Sequence, residues 1–258
     1  MHADPRRWLA VLRASQARLH TLVASLSPTD LRAQSYDTEW SVAQVLSHLG
    51  SQAEIFGLFL DAALRGEQPP GPEAFPPVWD VWNTRPPEEV ALHSLATNDR
   101  FSARLDALSD ETLSQPVTLF GMSMLIGDMA RMRVSEHAVH SWDIAVAFDP
   151  DAAIAADAVA LLIDMVPALA ARAGKPQHPP FDLHVHTTDP ERDFVLSVHD
   201  TVELRPFAGE SCRGSLDLPA EALVRLVFGR LDAAHAAWLT LVSDEVDPDQ
   251  LRRVFPGF

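Results

Sequence analysis

The stretch RVSEHAVHSWDIAVA, residues 133–147, carries Glu136, His137, His140 and Asp143 among apolar residues that would suit a buried helix. Residues four apart share a helix face, so Glu136 and His140 can grip one cation between them. Asp143, three residues further on, is placed to hydrogen-bond and orient that pair. His137 lies about 100° round the helix and is expected to face elsewhere. A third ligand must come from another helix, and His48 in TEWSVAQVLSHLG is the best placed, flanked by Val45, Leu46 and Leu49. Two histidines and a glutamate suit zinc or another borderline divalent ion, with a coordination position left open for chemistry. Periodicity alone leaves a second reading open, in which Glu136 and His140 are an ordinary polar pair and His48 a satisfied core histidine.

The elements that must position these groups show in the apolar spacing. Trp8, Leu9, Val11, Leu12 and Leu19 mark a first helix, and Val42, Val45, Leu46, Leu49 and Ile55 a second, capped by Ser41. The segment from Arg65 to Pro87 is so dense in proline that it is expected to lack regular structure and to run over the surface or across a cavity mouth. A third helix is expected over 88–108. An extended piece over 117–120 and a turn at Gly121 should precede a fourth helix over 124–148. A fifth, interrupted at Pro167, should end at Gly174. After residue 176 the apolar period becomes two, with strands expected over 182–188, 193–200, 201–207 and 212–218 and a helix over 219–231. The expected organisation is α+β: a helical domain over 1–176 and a small α+β domain over 177–258.

Charge narrows the partners. With 36 acidic and 20 basic residues the chain carries a net charge of −16, which repels phosphate backbones and anionic lipid, so neither nucleic acid nor a membrane surface is an expected partner. The N-terminal residues form an amphipathic pattern without the apolar core of a signal peptide, and a cytoplasmic location is expected. Cys212 is the sole cysteine, so a metal centre must use histidine and carboxylate. His184, His186 and His199 fall on expected strands, His184 and His186 on one face, and no cysteine or clustered carboxylate completes a strong motif with them. Met122, Met124, Met129 and Met132 read as core gap-fillers, and SDEVDPDQ (243–250) as a solvated acidic turn.

WSVAQVLSHLG, followed about 90 residues later by EHAVHSWDIAVA, resembles the paired motif of the mycothiol-dependent maleylpyruvate isomerase family, a branch of the DinB-like four-helix bundles. The resemblance extends over the whole chain. It implies an up-down-down-up four-helix bundle with a small C-terminal α+β domain, and a divalent ion, usually zinc, held by His48, Glu136 and His140. It also implies mycothiol as thiol cosubstrate and a small anionic electrophile as substrate. The segment VRLVFGRL resembles the family's C-terminal Gly-Arg segment, which implies a substrate-binding and catalytic role for Arg230; Arg85 is a second candidate clamp for a carboxylate. A zinc-activated thiolate would either isomerise a cis-enone acid or be transferred to an electrophile, with Asp143 supporting the site. Two alternatives remain at this stage: a metal-dependent hydrolase using water, with Asp143 or His137 as base, and a non-enzymatic small-molecule or metal-binding protein on the same bundle.

Overall fold

The N-terminal helix starts where Asp4 accepts a hydrogen bond from the Arg6 amide and Pro5 fills the first turn, giving α1 (Pro5–Ala24). Ser41 and Gln44 form a reciprocal capping box at the start of α2 (Val42–Arg65), which ends at Gly66 in the left-handed region. The computed structural model describes residues 4–236, 239–244 and 246–257.

The proline-dense segment is not irregular throughout. A short helical turn over 72–74 leads into α3 (Phe75–Asn83), with Pro76 and Pro77 in its first turn, where a missing amide costs no intrahelical bond. Next come α4 (Pro87–Asp106) and the single turn α5 (Asp110–Leu113). A hairpin of β1 (Pro116–Leu119) and β2 (Met122–Leu125) follows, turning through Phe120 and Gly121, both at positive φ. Met124 is therefore paired with Val117, and α6 (Asp128–Ala145) begins four residues later than expected.

The long helices α1, α2, α4 and α6 make the N-terminal bundle. Helix α1 packs on α4 and α6, and α2 packs on the same two, so α1 and α2 lie diagonally opposite. The connection over 25–41 therefore crosses one end of the bundle, and Trp40 at its close packs on the core beneath. Leu19, Val45, Leu46, Leu49, Val90, Ala91 and Ile144 close that core from all four helices. Each such leucine contributes about 1.5–3 kcal/mol by leaving water.

The division into two units falls after Ala152 rather than at 176. The helices α7 (Ala156–Leu162) and α8 (Val166–Ala173), joined by a tight turn at 163–165, belong with the sheet because α8 packs on its edge strand. That sheet comprises β3 (Phe181–Thr188), β4 (Arg192–Val198), β5 (Val202–Pro206), β6 (Gly214–Pro219) and, beyond α9 (Ala220–Val227), β7 (Thr240–Ser243). The strand order is β5-β4-β3-β6-β7, antiparallel except for the β3/β6 pair. Helix α9 packs on α7, α8, β3 and β6, and covers one face. It is shorter than expected, stopping before Gly229, which takes positive φ. The acidic stretch 243–250 is not simply a turn: Asp247 accepts from the Gln250 amide at 2.6 Å and starts α10 (Pro248–Val254). Both units together make an α+β fold, and among the described residues no helix is long and apolar enough to cross a membrane.

Candidate metal centre

Two turns into α2, His48 faces α6 across the bundle. Its Nε2 lies 2.9 Å from Glu136 Oε2, and His140 Nε2 lies 3.6 Å from the same oxygen. One donor atom from each of the three comes within 4.8 Å of the others. The two imidazole rings meet edge-on with centroids 4.6 Å apart, and Trp40 stands over both, 5.2 Å from His48 and 6.1 Å from His140.

Asp143 is fully buried, and its Oδ2 is 2.9 Å from His140 Nδ1. An ionised carboxylate only accepts, so Nδ1 carries the hydrogen, and Nε2 is the ring atom left to face Glu136 and to ligate. The residues present therefore fit a divalent ion, in donor type and in spacing. The Asp143 carbonyl also accepts from the Tyr36 amide at 2.9 Å, which ties the 25–41 connection to α6.

Electrostatics favour the ligand forms of these groups. Burial lowers the pKa of His48 by more than its Glu136 partner raises it, which keeps the ring neutral. Burial alone would raise that of Glu136, yet the His48 hydrogen bond and the charges of His140 and Arg133 hold it at about 2.

Arg133 and the partners of His137 are the features the spacing did not reveal. Arg133 is 1% exposed, and burial lowers its pKa only to about 10, so it stays cationic at neutral pH. Its guanidinium donates to the Leu49 carbonyl at 3.0 Å, to Asn98 Oδ1 at 2.6 Å and to Gln52 Oε1, joining α2, α4 and α6. His137 turns away from the ligands, as expected, and meets the same Asn98 oxygen at 2.9 Å. Burial pushes its pKa well below the usual histidine value. A signal did exist: Ala130, Arg133, His137, His140 and Ile144 recur at alternating three- and four-residue steps, the spacing of one inward-facing stripe.

A cavity of about 610 Å³ opens beside the centre, and His48, Trp40, Trp79, Trp82, Arg85 and Phe120 are among its walls. The proline-dense segment does bound a cavity, but as helix α3. Trp82 anchors that helix: its Nε1 donates to Glu54 Oε2 at 2.8 Å, and its ring lies against Gly50, where an added Cβ would come within 2.2 Å of Cη2. The Arg85 guanidinium sits 4.3 Å from the centre of the Trp82 ring, and its buried Nη1 has no hydrogen-bond partner among the described residues. Arg230 belongs to the C-terminal unit, just past α9, where its Nη1 donates to the Phe228 carbonyl at 2.7 Å. The structure thus brings together His48, Glu136, His140 and Asp143, with Arg85 on the adjoining cavity, and places Arg230 in the other unit. Cys212 is half-buried, and burial raises its thiol pKa, which disfavours the reactive thiolate.

A family model described as the mycothiol maleylpyruvate isomerase N-terminal domain matches residues 12–145. Two solved structures share the fold, one of a mycothiol-dependent maleylpyruvate isomerase and one of a histidine-to-alanine mutant of that enzyme. Each is 16% identical to this chain, covers 95% of both chains and superposes with a TM-score of 0.71. Comparison with curated protein sequences gave no match.

Proposed function

The chain belongs to the mycothiol maleylpyruvate isomerase family, and from that membership we propose that it is a metal-dependent, mycothiol-using enzyme acting in the cytoplasm on a small anionic electrophile. The observation that carries this reading is the convergence of His48, Glu136 and His140 within 4.8 Å beside a cavity lined by Trp40, Trp82 and Arg85. A divalent ion of the zinc class, when bound there, supplies Lewis acidity that favours the thiolate form of the cosubstrate at neutral pH.

The chain's own residues do the rest. Glu136 stays anionic, and a neutral His48 needs only to carry its hydrogen on Nδ1 for Nε2 to ligate. Asp143 fixes the His140 tautomer. Arg85, propped on Trp82 in the cavity wall, is the candidate to bind a substrate carboxylate, and Arg230 is the second such candidate. Trp40, Trp79 and Phe120 supply apolar walls that keep water from the thiolate.

On a cis-enone acid such as maleylpyruvate, the thiolate adds to the double bond, the resulting single bond rotates, and elimination returns the thiolate and leaves the trans isomer. With an electrophile bearing a leaving group, the same thiolate stays attached and the leaving group departs. Purified protein supplied with zinc, mycothiol and a cis-enone acid is expected to turn over only when metal and thiol are both present. Turnover with metal but without thiol would replace this reading with hydrolysis, and a protein that binds neither metal nor thiol would leave a non-enzymatic binding role.

A further inference from the structure

The open face of the C-terminal sheet gathers a second set of metal-ligating groups. Along β3, Phe181, Leu183, Val185 and Thr187 are buried, which turns His184 and His186 together onto the opposite face. The β3/β4 register sets Asp193 across from His186, and the β3/β6 register sets Asp217 on its other side. Both imidazoles converge on one atom: His184 Nε2 is 2.8 Å and His186 Nδ1 3.1 Å from Asp193 Oδ1. Glu191, from the turn between the strands, brings a donor atom within 4.8 Å of those of His186 and Asp193. Glu191 and Asp193 follow His186 by five and seven residues, and the β3–β4 hairpin folds them back beside it.

The arrangement is held in place. Phe207 stacks on the His184 ring, with centroids 4.2 Å apart and planes 30° from parallel, and the Phe207 amide donates to the Asp193 carbonyl at 3.0 Å. A divalent ion with bonds of about 2.0–2.2 Å to nitrogen and oxygen sets neighbouring donor atoms roughly 3 Å apart. The two nitrogen–oxygen separations already have that size. Imidazole with carboxylate is the donor set of zinc, nickel and copper, rather than of calcium or magnesium.

We propose that His186, Asp193 and Glu191 form a second divalent-metal site on the open face of the sheet, with His184 beside it on Asp193, separate from the centre in the helical bundle. Each histidine is about a third exposed, so water completes the coordination and the ion exchanges with solvent.

The test uses the full chain stripped with a chelator and titrated with Zn2+ alone. The His140→Ala chain, its bundle centre disabled, is expected to bind one zinc ion, and adding His184→Ala and His186→Ala should weaken that binding on the order of tenfold or more. In the otherwise unchanged chain the same two substitutions should lower the zinc count from two to one and leave thiol-dependent turnover intact. Cu2+ added to the His140→Ala chain should show coupling to imidazole nitrogen by electron paramagnetic resonance. That coupling should weaken in the gentler Asp193→Asn variant, which keeps the fold. Zinc binding that is the same with and without His184 and His186, or an His140→Ala chain that binds no zinc, would overturn the site without touching the reading of the bundle centre.

Discussion

The interiors of the two units are built on different terms. Inside the sheet unit the buried polar side chains Thr187 and Arg225 are satisfied close by in the chain, Thr187 by the Pro190 carbonyl and Arg225 by Glu221 one helical turn away. Inside the bundle, Gln16, Asn98, Arg133, His137 and Asp143 are buried, and several of their bonds cross from helix to helix, as when Gln16 donates to the Asn98 carbonyl at 2.6 Å. A locally satisfied polar group adds little to long-range order. One satisfied across helices fixes their spacing, and costs stability whenever a partner is lost. The bundle interior is thus organised to hold His48 against Glu136 and His140, whereas the sheet interior is organised to stay dry.

That contrast can be broken most sharply at the ligands. Changing Glu136 or His140 to Ala should strip the bundle ion and lower turnover by roughly 10³-fold, about 4 kcal/mol of barrier, in metal analysis and steady-state kinetics. Leu183→Ala in the sheet core should instead cost about 2–5 kcal/mol of unfolding free energy with bundle metal content unchanged. Metal loss in that variant would erase the distinction.

Arg133→Met comes next. It leaves Asn98 Oδ1, Gln52 Oε1 and the Leu49 carbonyl short of a donor, and should lower stability by about 3 kcal/mol in denaturant titration. Arg133→Lys should recover only part, because an ammonium cannot span three acceptors with a planar fork. Full recovery would mean that charge alone matters there. Asp143→Asn should weaken metal binding about 10- to 100-fold with little change in fold, and an unchanged affinity would remove Asp143 from the site.

The smallest effect is one of pH on the metal-free protein. His137 is held neutral by burial, so below the ordinary histidine value of about 6.5 the unfolded chain binds more protons than the folded one. Stability should therefore fall as pH drops below about 6.5, by up to roughly 1.4 kcal/mol per pH unit from this residue. His137→Gln should flatten that slope, and an identical slope would assign it elsewhere.

What could be read from the sequence was what neighbouring residues determine. Ser41 with the apolar spacing after it located α2, and the four-residue step from Glu136 to His140 located half of the centre. His48 followed as the best-placed histidine on a second helix, and the family resemblance singled it out further. Proline misled over α3 because its effect depends on position in the turn: in the first turn it is harmless, and a count of prolines does not see that. The late start of α6 follows from Met122–Leu125 pairing as a strand, a tertiary outcome that overrides an apolar run. Strand β7 and α10 escaped for the same reason, one being an edge strand and the other a short helix started by Asp247. Arg133 was visible in the inward-facing stripe, yet a buried cation is recognised only when its acceptors on α2 and α4 are known. The carboxylates beside His184 and His186 likewise required the register of β3 and β4.

Trp40 gives the bundle centre an optical property. Its indole lies 5.2 Å from the His48 ring and 6.1 Å from the His140 ring, centre to centre, and a nearby imidazolium quenches an indole in a way that a neutral ring does not, so an ion that kept both rings unprotonated would alter the emission. The difference in emission between the unaltered chain and its Trp40→Phe counterpart isolates this one fluorophore from the other tryptophans. The residue that closes the crossing connection would thereby turn the filling and emptying of the proposed centre into a change of light, with no added label.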